Sequence, residues 1–185
     1  VKTPISEDHP LTPTNLYGVT KLAAEKLLEA CHSSYGLSTV ILRFGNVYGV
    51  GVYSYWETII PKFVKQALNG QPLTIYGDGK QSRDFVHIWD IVQAIELVLR
   101  KNNEIVAAKK FNVGAGKPVS VNTIADFVSE IFHRESEKNV ERVYLPPRKG
   151  ESYTADFHLS TSKISTELGF KSKWTIENGV EQLIQ

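Results

Sequence analysis

The 185-residue chain contains no methionine and a single cysteine, Cys31. A lone cysteine cannot close a disulfide within its own chain. The five histidines, His9, His32, His87, His133 and His158, are scattered, with no pair at metal-ligand spacing, so no metal site is expected. Long apolar runs are also missing. No stretch is long enough to span a bilayer, and the opening residues do not read as a secretory leader. Nor is there an excess of charge, because 21 Lys and Arg face 20 Asp and Glu for a net +1. That balance, spread along the chain, offers no footprint for nucleic acid or an anionic membrane. A reducing cytoplasm is the expected compartment. The chain starts at Val1 rather than methionine, and the simplest expectation is a piece of a longer protein.

What is present is a core-forming composition, 42% hydrophobic, at a length typical of one domain. Pro10 and Pro13 punctuate an extended entry. Thr14 or Asn15 then offers a cap for a helix to about residue 34, with Leu16, Val19, Ala23, Leu27, Ala30 and Cys31 at helical spacing. Residues 39–44 read as a buried strand and 45–56 as a loop. Further helices are predicted over about 57–69, 89–101, 120–132, 160–168 and 175–184, and strands over 73–76, 82–88, 110–113 and 142–145. Such alternation of helix and strand indicates an α/β layer with parallel pairing in at least part of the chain. No repeat, low-complexity tract or flexible linker interrupts it.

Tyr17 and Lys21 stand four apart on the first predicted helix, so their side chains share one face. Phenols ionise near pH 10, and a neighbouring ammonium favours the phenolate, which suits a phenolic base. The same spacing at Tyr76 and Lys80 has no such meaning, because Gly77-Asp78-Gly79 lies between and breaks any helix. A surface tyrosine beside a surface lysine would show the same spacing, so the pair needs context.

The context is a series of segments. Tyr17-Gly18-Val19-Thr20-Lys21-Leu22-Ala23-Ala24-Glu25, after Ser6-Glu7-Asp8 and Pro10, resembles the active-site helix of extended short-chain dehydrogenases, particularly the UDP-sugar 4-epimerases. Leu42-Arg43-Phe44-Gly45-Asn46-Val47-Tyr48-Gly49 resembles that family's strand and substrate loop. Pro72 to Gly79 followed by Arg83-Asp84-Phe85-Val86-His87 is similar to its nucleotide pocket, and Phe111-Asn112-Val113-Gly114 and Arg148-Lys149-Gly150-Glu151 match later segments in order.

This resemblance implies the carboxy-terminal part of a Rossmann-type dinucleotide domain plus the smaller α/β substrate-binding domain. Residues 1–48 would trail the first, and 49–185 would mainly form the second, with about 84–114 returning to the Rossmann sheet. It implies NAD as cofactor and a UDP-sugar as substrate. The implied activity is epimerisation at carbon 4, UDP-glucose to UDP-galactose, through a transient 4-keto sugar. A nucleotide-sugar 4,6-dehydratase is the enzymic alternative, and a non-catalytic binding module is the alternative of another class. Tyr17 would be the base and Lys21 would hold the nicotinamide ribose, with Phe44 and Gly45 beside the cofactor. Asn46 and Thr58 would contact the substrate, Tyr76 would pack against uracil, Arg83 and Arg148 would clamp the diphosphate, and Glu151 would accept a ribose hydroxyl.

A homodimer through the Tyr17 helix is also implied, with Glu25, Lys26 and Glu29 near the interface edge. The sequence departs from the family pattern in lacking the glycine-rich phosphate loop that receives the NAD pyrophosphate. Gly114-Ala115-Gly116 lies too late and lacks the third glycine. An amino-terminal NAD-binding portion is therefore the missing partner of this stretch.

Overall fold

A computed structural model gives the chain's architecture and describes residues 2–51, 56–147 and 156–185. Helix α1 (Leu16–Tyr35) leads into β1 (Ile41–Phe44), β2 (Asn46–Tyr48), α2 (Ile59–Leu68) and β3 (Leu73–Tyr76). There follow β4 (Ser82–Arg83), β5 (Phe85–His87), α3 (Ile88–Leu99), a short α4 (Asn103–Val106), β6 (Lys110–Val113) and β7 (Val119–Ser120). The remainder is α5 (Val121–Ser136), β8 (Arg142–Leu145), α6 (Ser162–Leu168) and α7 (Ile176–Ile184).

Among the described residues three strand pairs are parallel, β1 with β6, β2 with β5 and β3 with β8, while β4 and β7 pair antiparallel. Parallel neighbours need crossovers, and here the helices supply them. The described side chains sort into two apolar cores. One joins α2, β3, α5 and α7 through Phe63, Val64, Leu73, Ile75, Ile124, Val128 and Val180. The other joins β5, α3 and β6 through Val86, Ile91, Ala94, Phe111 and Val113. Ile164, Leu168 and Phe170 complete the second core from late in the chain, an association that no local periodicity announces.

Several expected boundaries move, for physical reasons. The predicted loop 45–56 contains β2, because the Asn46 N–H bonds to the Asp84 carbonyl at 2.7 Å and extends the pairing. The predicted strand 82–88 is two strands, split at Asp84, after which His87 caps α3 by accepting the Trp89 N–H at 3.3 Å. Helix α5 runs on to Ser136 and stops where Glu137 turns left-handed at φ 57°. No described helix is long and apolar enough to cross a membrane.

Candidate active site

Helix α1 begins where the Asn15 side chain accepts the Gly18 N–H at 2.8 Å, and it ends at Gly36, whose φ of 65° few other residues adopt cheaply. Glycine suits position 18 because a Cβ there would sit 2.9 Å from the Pro13 Cβ, so the entry segment would have to shift away from the helix. Tyr17 is 72% exposed, and the Lys21 ammonium rests 5.4 Å from its ring centroid. The structure thus places the two on one face.

The rest of α1 differs from the periodicity reading. No residue of the helix is buried. Leu16, Val19 and Leu27, part of the apolar stripe, are exposed, whereas Gly18, Leu22, Glu25, Glu29, Cys31 and His32 are half-buried, Cys31 alone of that stripe among them. Carboxylates, not alkyl groups, tie the helix to the sheet. Arg43 of β1 grips Glu25 with a two-pronged bond, Nε to Oε1 at 2.8 Å and Nη2 to Oε2 at 2.6 Å, and gives its remaining prong to the Glu7 carbonyl at 2.8 Å. Lys110 of β6 pairs with Glu29, as does Lys26 at 2.8 Å. Hydrogen bonding from Lys110, then from Lys26, holds the Glu29 carboxyl down at about 2. Of the three residues expected at a dimer edge, only Lys26 is exposed, because Glu25 and Glu29 turn inward.

Beside this helix lies a cleft of roughly 430 Å³, lined among others by Pro10, Thr12, Lys21, Leu22, Phe44 and Asn112. Glu7 pins its rim: a carboxylate oxygen accepts the Asn112 N–H at 2.8 Å, while the Asn112 side chain donates to the Ile5 carbonyl at 2.9 Å. Phe44 and Lys21 therefore meet in one cleft, with Gly45 just beyond, its N–H on the Val113 carbonyl at 2.9 Å.

Asn46 and Thr58 come together in a second, smaller recess with Tyr48 and Phe85. Thr58 occupies the N-cap position of α2, its carbonyl accepting the Lys62 N–H at 2.9 Å. Tyr76 ends β3 with the Lys62 ammonium 5.5 Å from its ring centroid. Arg83, half-buried on β4, donates to the Ser82 carbonyl at 2.7 Å. Arg148 and Glu151 lie outside the described residues.

Asp84 is the residue that the sequence reading passed over. It is completely buried, and its carboxylate accepts the N–H groups of Ala115 at 2.8 Å, Gly116 at 3.2 Å and Leu159 at 3.0 Å. Burial pushes this carboxyl up, and the three N–H groups pull it back. Two glycines make room: a Cβ on Gly45 would meet the Asp84 carbonyl at 2.8 Å, and one on Gly114 would meet its carboxylate at 2.5 Å. The Asp84 side chain thus ties the end of β4 to the segments at Ala115, Gly116 and Leu159, while the Asp84 backbone carbonyl holds Asn46. The available signal was an acidic residue interrupting an apolar strand, which must be satisfied if it is buried.

A second buried polar group packs against the first core. His87 stacks on Trp174 at 3.9 Å between centroids, meets Tyr48 edge-on at 5.2 Å, and bonds through Nε2 to the Gln182 side chain at 3.0 Å. With Nδ1 accepting from Trp89, the ring is the neutral tautomer with its proton on Nε2, and burial lowers its pKa. Asp90, also buried, accepts from the Ser172 hydroxyl and from the N–H groups of Lys173 and Trp174, holding Trp174 in place.

Residues 1–114 match the model of the NAD dependent epimerase/dehydratase family. The chain is 34% identical to a protein named putative UDP-glucose 4-epimerase of Methanocaldococcus jannaschii, over 98% of this chain and 56% of that protein. It is 31% identical to the dTDP-glucose 4,6-dehydratase of Haemophilus influenzae, over 97% and 54% respectively. The crystal structure of the UDP-glucose 4-epimerase of Thermotoga maritima with UDP-glucose superposes with a TM-score of 0.86 at 33% identity, covering all of this chain and 57% of that one. The chain spans about half the length of these relatives. Mixed α/β layers, an exposed tyrosine and lysine one helical turn apart, and agreement along the sequence lead to one assignment: the chain belongs to the NAD-dependent epimerase/dehydratase family.

Proposed function

We propose that the intact protein epimerises a UDP-hexose at carbon 4, with UDP-glucose and UDP-galactose as the substrate pair. The observation that carries this reading is the exposed Tyr17 with Lys21 against its ring, Lys21 lining the cleft that Phe44 also lines. The residues present fit one end of NAD. Lys21 offers an ammonium for the nicotinamide ribose, and the cleft beside it offers an aromatic and aliphatic wall; no described segment offers a glycine-rich turn for the pyrophosphate. NAD, when bound, accepts and returns a hydride.

The chain's own part is positional and protolytic. Tyr17 takes the proton from the carbon-4 hydroxyl and later returns it to the same oxygen, now on the inverted carbon. Asn46 and Thr58 bind the hexose, Tyr76 packs on uracil, Arg83 and Arg148 hold the diphosphate, and Glu151 accepts a ribose hydroxyl. Residues 1–48, with 84–114, form the carboxy-terminal part of the dinucleotide domain, a division that the two apolar cores favour. The exposed Leu16, Val19 and Leu27 on α1 favour a homodimer through that helix. Sedimentation of the intact protein as a monomer at every working concentration would rule the dimer out.

Likeness to the Haemophilus influenzae dehydratase supports a second reading, a nucleotide-sugar 4,6-dehydratase. The test is to give UDP-glucose to the intact protein with NAD. UDP-galactose upholds the epimerase, a 4-keto-6-deoxy sugar transfers the assignment to the dehydratase, and no turnover of any nucleotide sugar leaves a binding module.

A further inference from the structure

Lysine 21 has a competitor on its own helix. Glu25 lies one turn further on the same face, the spacing at which a lysine and a glutamate pair. Yet among the described residues Lys21 makes neither an ion pair nor a hydrogen bond, and its contact is the Tyr17 ring. The reason is on β1. Both Glu25 oxygens are taken by the Arg43 guanidinium, at 2.8 and 2.6 Å, with both side chains only 16% exposed. Glu29, the other carboxylate of α1, is likewise engaged, by Lys110 and Lys26. We infer that Arg43 is a positioning residue that sequesters Glu25, so that the Lys21 ammonium stays with Tyr17 and remains available for an anionic or hydroxylic ligand in the cleft. This rests on the proposed roles of Tyr17 and Lys21.

The inference differs from a merely structural role in one respect. If Arg43 only braced α1, removing its partner as well could do no good. If it restrains a competitor, deleting Glu25 must relieve the loss of Arg43. The pair is also suited to the task because a planar fork occupies both carboxylate oxygens, whereas a lysine would leave one open.

The experiment uses the intact protein freed of bound nucleotide and labels amines with an acylating ester, with Lys21 and the exposed Lys171 followed by peptide mass spectrometry. In Arg43→Gln the labelling rate at Lys21 is expected to fall by about two- to fivefold, the effect of a single new ion pair, while Lys171 is unchanged. In the double variant Glu25→Gln/Arg43→Gln it should return toward the parent value. Turnover of UDP-glucose should follow the same order, with kcat lowest in Arg43→Gln, partly restored in the double variant, and UDP affinity constant throughout. Should Arg43→Gln fail to fold, Arg43→Lys makes the same comparison with a smaller drop. Equal Lys21 labelling in parent and variant, or a double variant no better than the single one, overturns the inference. If the parent turns over no UDP-glucose, the proposed function falls while the labelling result still decides the role of Arg43.

Discussion

Replacing Asp84 by asparagine changes one atom at the point where four segments meet. The carboxylate accepts three N–H groups, Ala115 on one oxygen and Gly116 and Leu159 on the other. The amide keeps one acceptor, which is best used by Gly116 and Leu159, and turns its NH₂ toward the Ala115 N–H. One charge-assisted bond, worth about 1.5–3 kcal/mol, is lost, and one buried donor is left without a partner at about 1–3 kcal/mol. Removing a desolvated charge offsets part of this, because burial already disfavours the ionised form. The net loss is then roughly 2–4 kcal/mol, a factor of about 30 to 1,000 in the folding equilibrium. Urea denaturation of the intact protein should show the midpoint falling at constant m-value. A loss below about 0.5 kcal/mol, the range of ordinary surface substitutions, would refute the idea that this carboxylate is an anchor.

Four further outcomes are expected. Tyr17→Phe should abolish turnover while leaving UDP affinity within about twofold, since it removes the base but none of the proposed diphosphate contacts; calorimetry and product analysis check both halves. Arg83→Ala and Arg148→Ala in the intact protein should each weaken UDP binding by about tenfold to a hundredfold, and parent-like affinity in both would dismiss the clamp. Gly179→Ala drives a methyl into the Tyr48 ring and to 3.1 Å from the His87 ring, so thermal unfolding should reveal a loss of about 1–3 kcal/mol.

The fourth outcome is a pH dependence. The His87 pKa lies below its ordinary 6.5 in the folded protein, so the unfolded chain takes up the proton first. Its contribution is complete above 6.5 and is lost as pH falls through the folded value. Glu29, held at about 2 against 4.5 unfolded, contributes fully above 4.5 and loses its share as pH falls toward 2. Urea midpoints measured across pH should therefore begin to decline below 6.5 and decline further below 4.5, and a midpoint that is flat below 6.5 contradicts the buried neutral imidazole.

Local signals carried much of the fold. Residues 73–76, 110–113 and 142–145 form strands as their apolar runs foretold, and Asn15 and Gly36 delimit α1 by ordinary capping chemistry. That Tyr17 and Lys21 share a face was legible because helical spacing fixes which residues face each other, whereas singling out the pair needed the surrounding motifs. What could not be read locally depends on partners distant in sequence. β2 exists because Asn46 finds Asp84, and Glu25 and Glu29 turn inward because Arg43 and Lys110 await them on strands. The apolar stripe of α1 misled for the same reason: periodicity shows that a face is apolar, not that this stretch of chain covers it.

The three-residue strand β5 belongs to both interiors at once. Phe85 points into the core of α2 and α5, and its neighbour Val86 points into the core of α3 and β6, the alternation of a strand making it a shared wall. A wall of that kind couples what it separates. Loosening either interior should slacken the backbone to which Asn46 is paired, so a mutation remote from the cleft in either core can blur the recess that Asn46 and Thr58 line, and the two halves should melt as one cooperative unit rather than in sequence.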